Sequence, residues 1–105
     1  MAARICRRLK AAQDAENCAD YIATNSLEAA VRFLENTEAT LRYLAENPGI
    51  GCPFESDNPE LANLRFRRVK GFPNHLIFYV DHRDTIEVVR ILHGARDLDT
   101  ELRKT

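Results

Sequence analysis

The hydrophobic period changes once along this chain, and the place where it changes fixes the kind of fold available. From Leu27 onward, Ala30, Phe33, Leu34, Leu41, Leu44 and Ala45 recur at three- and four-residue steps, the period of one helix face, until Asn47, Pro48 and Gly49 supply a stop. After Asn63 the pattern becomes β-branched and aromatic. The runs LRFRRV, HLIFYV and TIEVVRILH are separated by KGFPN and DHRD, turn chemistry at hairpin length, and predict three antiparallel strands in a meander. Helices first and strands later, without βαβ alternation, predict an α+β fold.

The residues before Leu27 complete the expected order. RICRRL, Arg4 to Leu9, reads as a short strand. Ala11, Ala15, Cys18, Ala19 and Ile22 then form one thin, alanine-rich helical stripe, which must pack closely on something larger. Asn25 followed by Glu28 resembles a capping box at the start of the second helix. Two helices joined by so few residues turn back on each other as an antiparallel hairpin. Residues 48–63 hold three of the four prolines and no sustained period, which predicts a long surface loop. The expected order is β-α-α-β-β-β in one domain over residues 1–105, with the hairpin on one sheet face and an open strand edge beside LRFRRV. Leu98 and Leu102, four residues apart, fit either a last helical turn or a loose tail.

The formal net charge of −1 hides a strong segregation. Residues 1–10 carry +4; residues 11–63 carry ten acids against Arg32 and Arg42; residues 64–96 carry seven bases against three acids. A small molecule with opposed potentials on two regions is suited to gripping macromolecules. Cys6, Cys18 and Cys52 are odd in number and irregular in spacing, which predicts free thiols in a reducing cytoplasm. His75, His82 and His93 lack metal-ligand spacing, no glycine run resembles a phosphate loop, and no apolar run spans a bilayer. No cofactor, metal or membrane partner is expected.

The residues able to carry chemistry are Arg65, Arg67, Arg68, Arg90, His93 and Arg96, with Tyr79 and His75 as possible neighbours. Guanidinium groups bind phosphate in a fork, histidine moves protons near neutral pH, and tyrosine stacks or donates a hydrogen bond. Strand parity places Arg90 with Ile86, Val88 and Leu92, and His93 with Glu87, Val89 and Ile91, so the two share a face only if a bulge or the strand end intervenes. The alternative role for Arg90 is a buried ion pair with Asp14 or Asp20. For His93, before a glycine, it is a turn hydrogen bond.

GFPNHLIFYVD followed by IEVVRILHGARDL resembles the closing sheet of the ParE branch of the RelE/ParE toxins of type II toxin-antitoxin modules. The upstream pieces resemble that family in order: Asp14 and DYIA in the first helix, EAAVRFLENTEATLRYLAENPGIG for the second helix and loop, and LRFRRV before the hairpin. The resemblance implies a cytoplasmic toxin that poisons DNA gyrase without catalysis and is neutralised, in a hetero-oligomer, by a ParD-like antitoxin. It implies Arg65, Arg67, Arg68, His93, Arg96 and Leu98 as target- or antitoxin-binding residues. The RelE branch cuts ribosome-bound message, and on that alternative Arg67, Tyr79, Arg90 and His93 would be catalytic. Residues 11–63 contain no lysine, unlike the lysine-rich message-cutting members, which favours the gyrase reading.

Overall fold

A computed structural model describes residues 2–95 and 97–103. Its elements are β1 (Arg4–Arg7), α1 (Leu9–Ala23), α2 (Leu27–Glu46), β2 (Cys52–Pro53), β3 (Leu64–Val69), β4 (Phe72–Asp81), β5 (Thr85–His93) and α3 (Leu98–Leu102). The architecture is α+β, with the sequence-predicted helical hairpin and meander in place. The sheet has five strands in the order β1-β5-β4-β3-β2, with β1 parallel to β5 and the other pairs antiparallel.

The helix boundaries follow local chemistry, with one correction. Asn25 does not cap α2, because its N–H, like that of Ser26, donates to the Ile22 carbonyl and still belongs to the turn that closes α1. Ser26 is the cap, its backbone extended and its hydroxyl accepting from the Ala29 N–H at 3.1 Å. A second correction concerns the stripe. Leu27 and Leu34 are 72 and 42 % exposed, and the buried face of α2 runs through Ala30, Phe33, Thr37, Thr40, Leu41, Leu44 and Ala45. Both threonines satisfy their hydroxyls on the carbonyl four residues back, Phe33 and Asn36 respectively, so they enter the core without an unmet polar group.

Two cores flank the sheet. Beneath the hairpin, Phe33, Leu41 and Leu44 pack on Ile77, Tyr79, Ile86, Val88 and Ile91. On the opposite face Leu61, Leu64, Phe78, Val89, Leu92 and Leu102 form a second cluster, with Phe54 edge-on and Phe66 tilted against Phe78. Residues 48–63 are therefore not plain surface loop: two 3₁₀ turns, Pro48–Ile50 and Pro59–Leu61, and the short β2 fold back over β3. The edge beside LRFRRV is correspondingly not open along its length. β2 pairs with Arg65 and Phe66, and Phe54 donates to the Leu64 carbonyl. Residues 64, 66 and 68 point their backbone groups the same way, so of these three Arg68 alone has its N–H and C=O unpaired among the described residues.

Strand β5 carries a bulge. Tyr79 pairs with Val88 but Phe78 pairs with Arg90, leaving Val89 as the extra residue. Parity reverses at that point. Ile86 and Val88 face the hairpin, Val89 turns to the second core, and beyond the bulge Ile91 faces the hairpin while Leu92 does not. The expected grouping of Arg90 with Ile86 and Val88, and of Val89 with Ile91, is corrected by this one inserted residue, while Arg90 and Leu92 still share a face. Among the described residues, no helix is long and apolar enough to cross a membrane.

Candidate functional site

Arg90 sits at the bulge and is 4 % exposed. Its Nε and Nη2 donate to the two carboxylate oxygens of Asp14 at 2.6 and 2.9 Å, and Nη1 donates to the Glu101 carbonyl at 2.8 Å. The Ile91 N–H also donates to Asp14, at 3.1 Å. The last bond from β1 reaches the Val88 carbonyl, so the Asp14 carboxylate takes over where the parallel strand stops. The hydrogen bonds that Arg90 donates to Asp14 raise its pKa further, against the lowering effect of burial. This group braces α1, β5 and α3 together.

Tyr79 is wholly buried. Its hydroxyl donates to the Pro48 carbonyl at 2.7 Å and accepts from the Gly51 N–H at 2.9 Å, and burial holds its pKa above the usual tyrosine value. Arg65 reaches the same turn, its Nη1 donating to the carbonyls of Gly51 at 2.7 Å and Gly49 at 3.2 Å. Gly51 has ordinary extended backbone with φ of −65°, so its lack of a side chain answers to space alone. A Cβ there would overlap the Tyr79 ring and hydroxyl. Gly51→Ala is accordingly expected to lower stability by about 1–3 kcal/mol, read by urea denaturation. Gly49→Ala, with nothing within 4 Å of the added carbon, is the matched control and is expected to change little.

His75 and His93 face each other across β4 and β5, their rings edge-to-face with centroids 5.0 Å apart. They line a cleft of about 460 Å³ with Asp14, Asn17, Cys18 and Tyr21. The His93 Nδ1 accepts from the Ala95 N–H at 3.1 Å, the turn bond expected of it. His75 packs on Phe33 and Phe72, and its Nδ1 is buried without a partner among the described residues. Burial first, and the nearby charge of His93 second, hold its pKa below 6.5.

That depression predicts a pH effect with a definite sign. Between the folded and unfolded pKa values the unfolded chain binds more protons, so the His75 contribution is fully present above pH 6.5 and is lost as pH falls. Glu38, held by Arg7, and Glu87, held by Arg8 and His82, have pKa values below 4.5 and contribute only further down. Thermal midpoints measured from pH 7.5 to about pH 5 should fall, and His75→Phe should flatten the profile.

At the far side of the sheet, Arg67 lies over the Tyr43 ring with its guanidinium carbon 4.9 Å from the centroid. Arg68 and Lys70 flank it, and all four line one hollow with Ala39 and Thr40. Of the sequence-predicted binding residues, Arg67, Arg68 and His93 are at least partly accessible, while Arg65 is occupied by the turn and Leu98 packs into the second core. Arg96 lies outside the described residues. The four residues of the nuclease alternative do not assemble into one site: Tyr79 and Arg90 are buried in structural bonds, Arg67 covers Tyr43, and His93 opens to the cleft beside α1. Sequence reasoning missed the Arg67–Tyr43 contact. It named His75 as a possible neighbour of the cluster, and the structure pairs it with His93: both histidines lie nine residues from Asp84, at the turn.

The sheet is mixed and braced at the bulge by the buried Arg90–Asp14 pair, with basic residues at its β3 edge and a helical hairpin on one face. The family model of the ParE toxin of type II toxin-antitoxin systems, parDE, matches residues 7–98, and the chain belongs to that family. Among solved structures, a chain from the chromosomal ParDE toxin-antitoxin system of P. aeruginosa is similar in fold, with a TM-score of 0.68 and 20 % identity. The match covers 87 % of this chain and 95 % of that one. No curated protein matches the chain.

Proposed function

We propose that this toxin inhibits DNA gyrase without catalysis, acts in the cytoplasm, and is neutralised in a hetero-oligomer by a ParD-like antitoxin. The match to the ParE family over residues 7–98 carries the reading. The fixed roles of Tyr79 and Arg90 support its non-catalytic part, since each side-chain nitrogen of Arg90 and the hydroxyl of Tyr79 already makes a hydrogen bond within the fold. Leu27, Val31 and Leu34, spaced four and three residues along α2, leave an apolar stripe exposed, and the apolar side of an amphipathic antitoxin segment fits over it. Purified toxin should block supercoiling of relaxed plasmid by gyrase and leave ribosome-bound message intact, with supercoiling restored by the antitoxin from the neighbouring reading frame. Message cleavage with supercoiling unaffected would overturn the proposal.

A further inference from the structure

The bases of this chain divide into two populations. Arg7, Arg8 and Arg90 each face a carboxylate within hydrogen-bond distance. Arg67, Arg68 and Lys70 have no acid within 4.0 Å among the described residues, although they sit in a chain of net charge −1. They lie together at the β3 edge, where two adjoining hollows of about 410 and 360 Å³ share Arg67 and Arg68. Tyr43, 42 % exposed, and Ile50, 41 % exposed, border the same edge. Leaving like charges unpaired and adjacent disfavours folding, and a polyanion relieves the repulsion.

We propose that this edge binds the phosphodiester backbone of a nucleic acid. Successive residues of a strand point to opposite faces, so Arg67 and Arg68 straddle the edge and can fork two phosphates of one strand from either side, with Lys70 as a third point charge. The Tyr43 ring holds the Arg67 guanidinium in place before the ligand arrives, which reduces the side-chain entropy lost on binding. An acidic peptide is the competing polyanion, and the backbone argues against it. Strand addition needs a run of free N–H and C=O groups, but β2 already covers Leu64 to Phe66 and the Lys70 N–H donates to Thr40 Oγ1 at 3.1 Å. Only Arg68 is left to pair. What remains is charge and an aromatic ring without a strand template, which suits a sugar-phosphate backbone. The inference does not rest on the gyrase reading, because the edge can hold a nucleic acid whether or not supercoiling is blocked.

Fluorescence anisotropy of the full chain with labelled duplex DNA, single-stranded DNA and single-stranded RNA of one sequence tests it, with polyglutamate of matched length as the peptide arm. At least one oligonucleotide should bind at 50 mM salt and weaken by 200 mM, by about forty-fold for a duplex and about twenty-fold for a single strand if three phosphates are neutralised. The arms separate DNA from RNA and duplex from single strand. Arg67→Gln, Arg68→Gln and Lys70→Gln combined should reduce binding at least tenfold, and each single change should reduce the salt slope by about 1. Arg4→Gln, at the opposite edge strand, should leave binding unchanged. Thermal midpoints of all variants within a few degrees of the parent confirm that the fold is intact; should the triple variant melt early, the three single variants carry the test. Failure of every oligonucleotide to bind, equal weakening by Arg4→Gln, or tighter binding of polyglutamate than of any oligonucleotide would overturn the proposal.

Discussion

Asp14→Ala is expected to remove about 3–5 kcal/mol of stability, the cost of leaving a buried charge without its partner. Against a total of about 5–15 kcal/mol for a domain of this kind, that is a large fraction, and the thermal midpoint should drop by about 12 °C or more. The size follows from geometry. Asp14 accepts from Arg90 Nε, Arg90 Nη2 and the Ile91 N–H, so one truncation strands three donors where the chain is least able to hydrate them. Asp14→Asn keeps one acceptor oxygen but not the second or the charge, and its loss should fall between the parent and alanine. Replacing Asp14 with leucine and Arg90 with methionine together should recover most of the loss, because removing both charges removes the desolvation cost. The Ile91 N–H would still lack its acceptor, so recovery should stop short by about 1 kcal/mol. A loss below 1 kcal/mol for Asp14→Ala in urea titration would mean that water reaches Arg90 and that the brace is not dry.

That pairing was legible before the structure. An arginine inside a strand rich in Ile, Val and Leu needs a partner, and Asp14 is one of the two aspartates that the first helix offers. What the sequence did not disclose was how the arginine reaches it. The bulge at Val89 leaves no mark in composition, since valine suits a regular strand as well as a bulged one, and the parity rule fails from that residue onward.

The same limit recurs elsewhere in the fold. The period of α2 was plain, yet Leu27 and Leu34 face outward while Thr37 and Thr40 face inward, because a threonine that bonds its own helix's carbonyl is indistinguishable in a pattern search from one in water. The parallel pairing of β1 with β5 joins residues about eighty positions apart and has no local signal at all. Candidate site residues suffered most. Arg65 and Tyr79 look free in sequence because their partners are backbone groups of Pro48, Gly49 and Gly51, and a carbonyl or amide has no residue type to read.

Leu102→Ala tests the other end of the brace and is expected to cost about 2–3 kcal/mol, toward the lower end for a buried leucine. Leu102 is fully buried with Phe78, Val89 and Leu92, and a cavity there would ordinarily cost more. The helix it belongs to sets the ceiling. A five-residue helix has no stability of its own, so α3 depends for its docking on contacts such as Leu98, Leu102, the Arg90 bond to the Glu101 carbonyl and the Ser56 hydroxyl on Asp99. Once the leucine is truncated the segment can leave the sheet, and the loss cannot exceed the free energy that docks it. Two readouts separate undocking from a static cavity: the thermal midpoint falls, and the Glu101 and Arg103 amides, which donate to Asp97 and Asp99, lose their protection from hydrogen exchange while those of β4 keep theirs. Protected α3 amides with an unchanged midpoint would refute the docking role. Because Asp14 and Glu101 grip the same guanidinium, Asp14→Ala combined with Leu102→Ala should cost at least 0.5 kcal/mol less than the two separate losses added together, as expected for neighbours in one network.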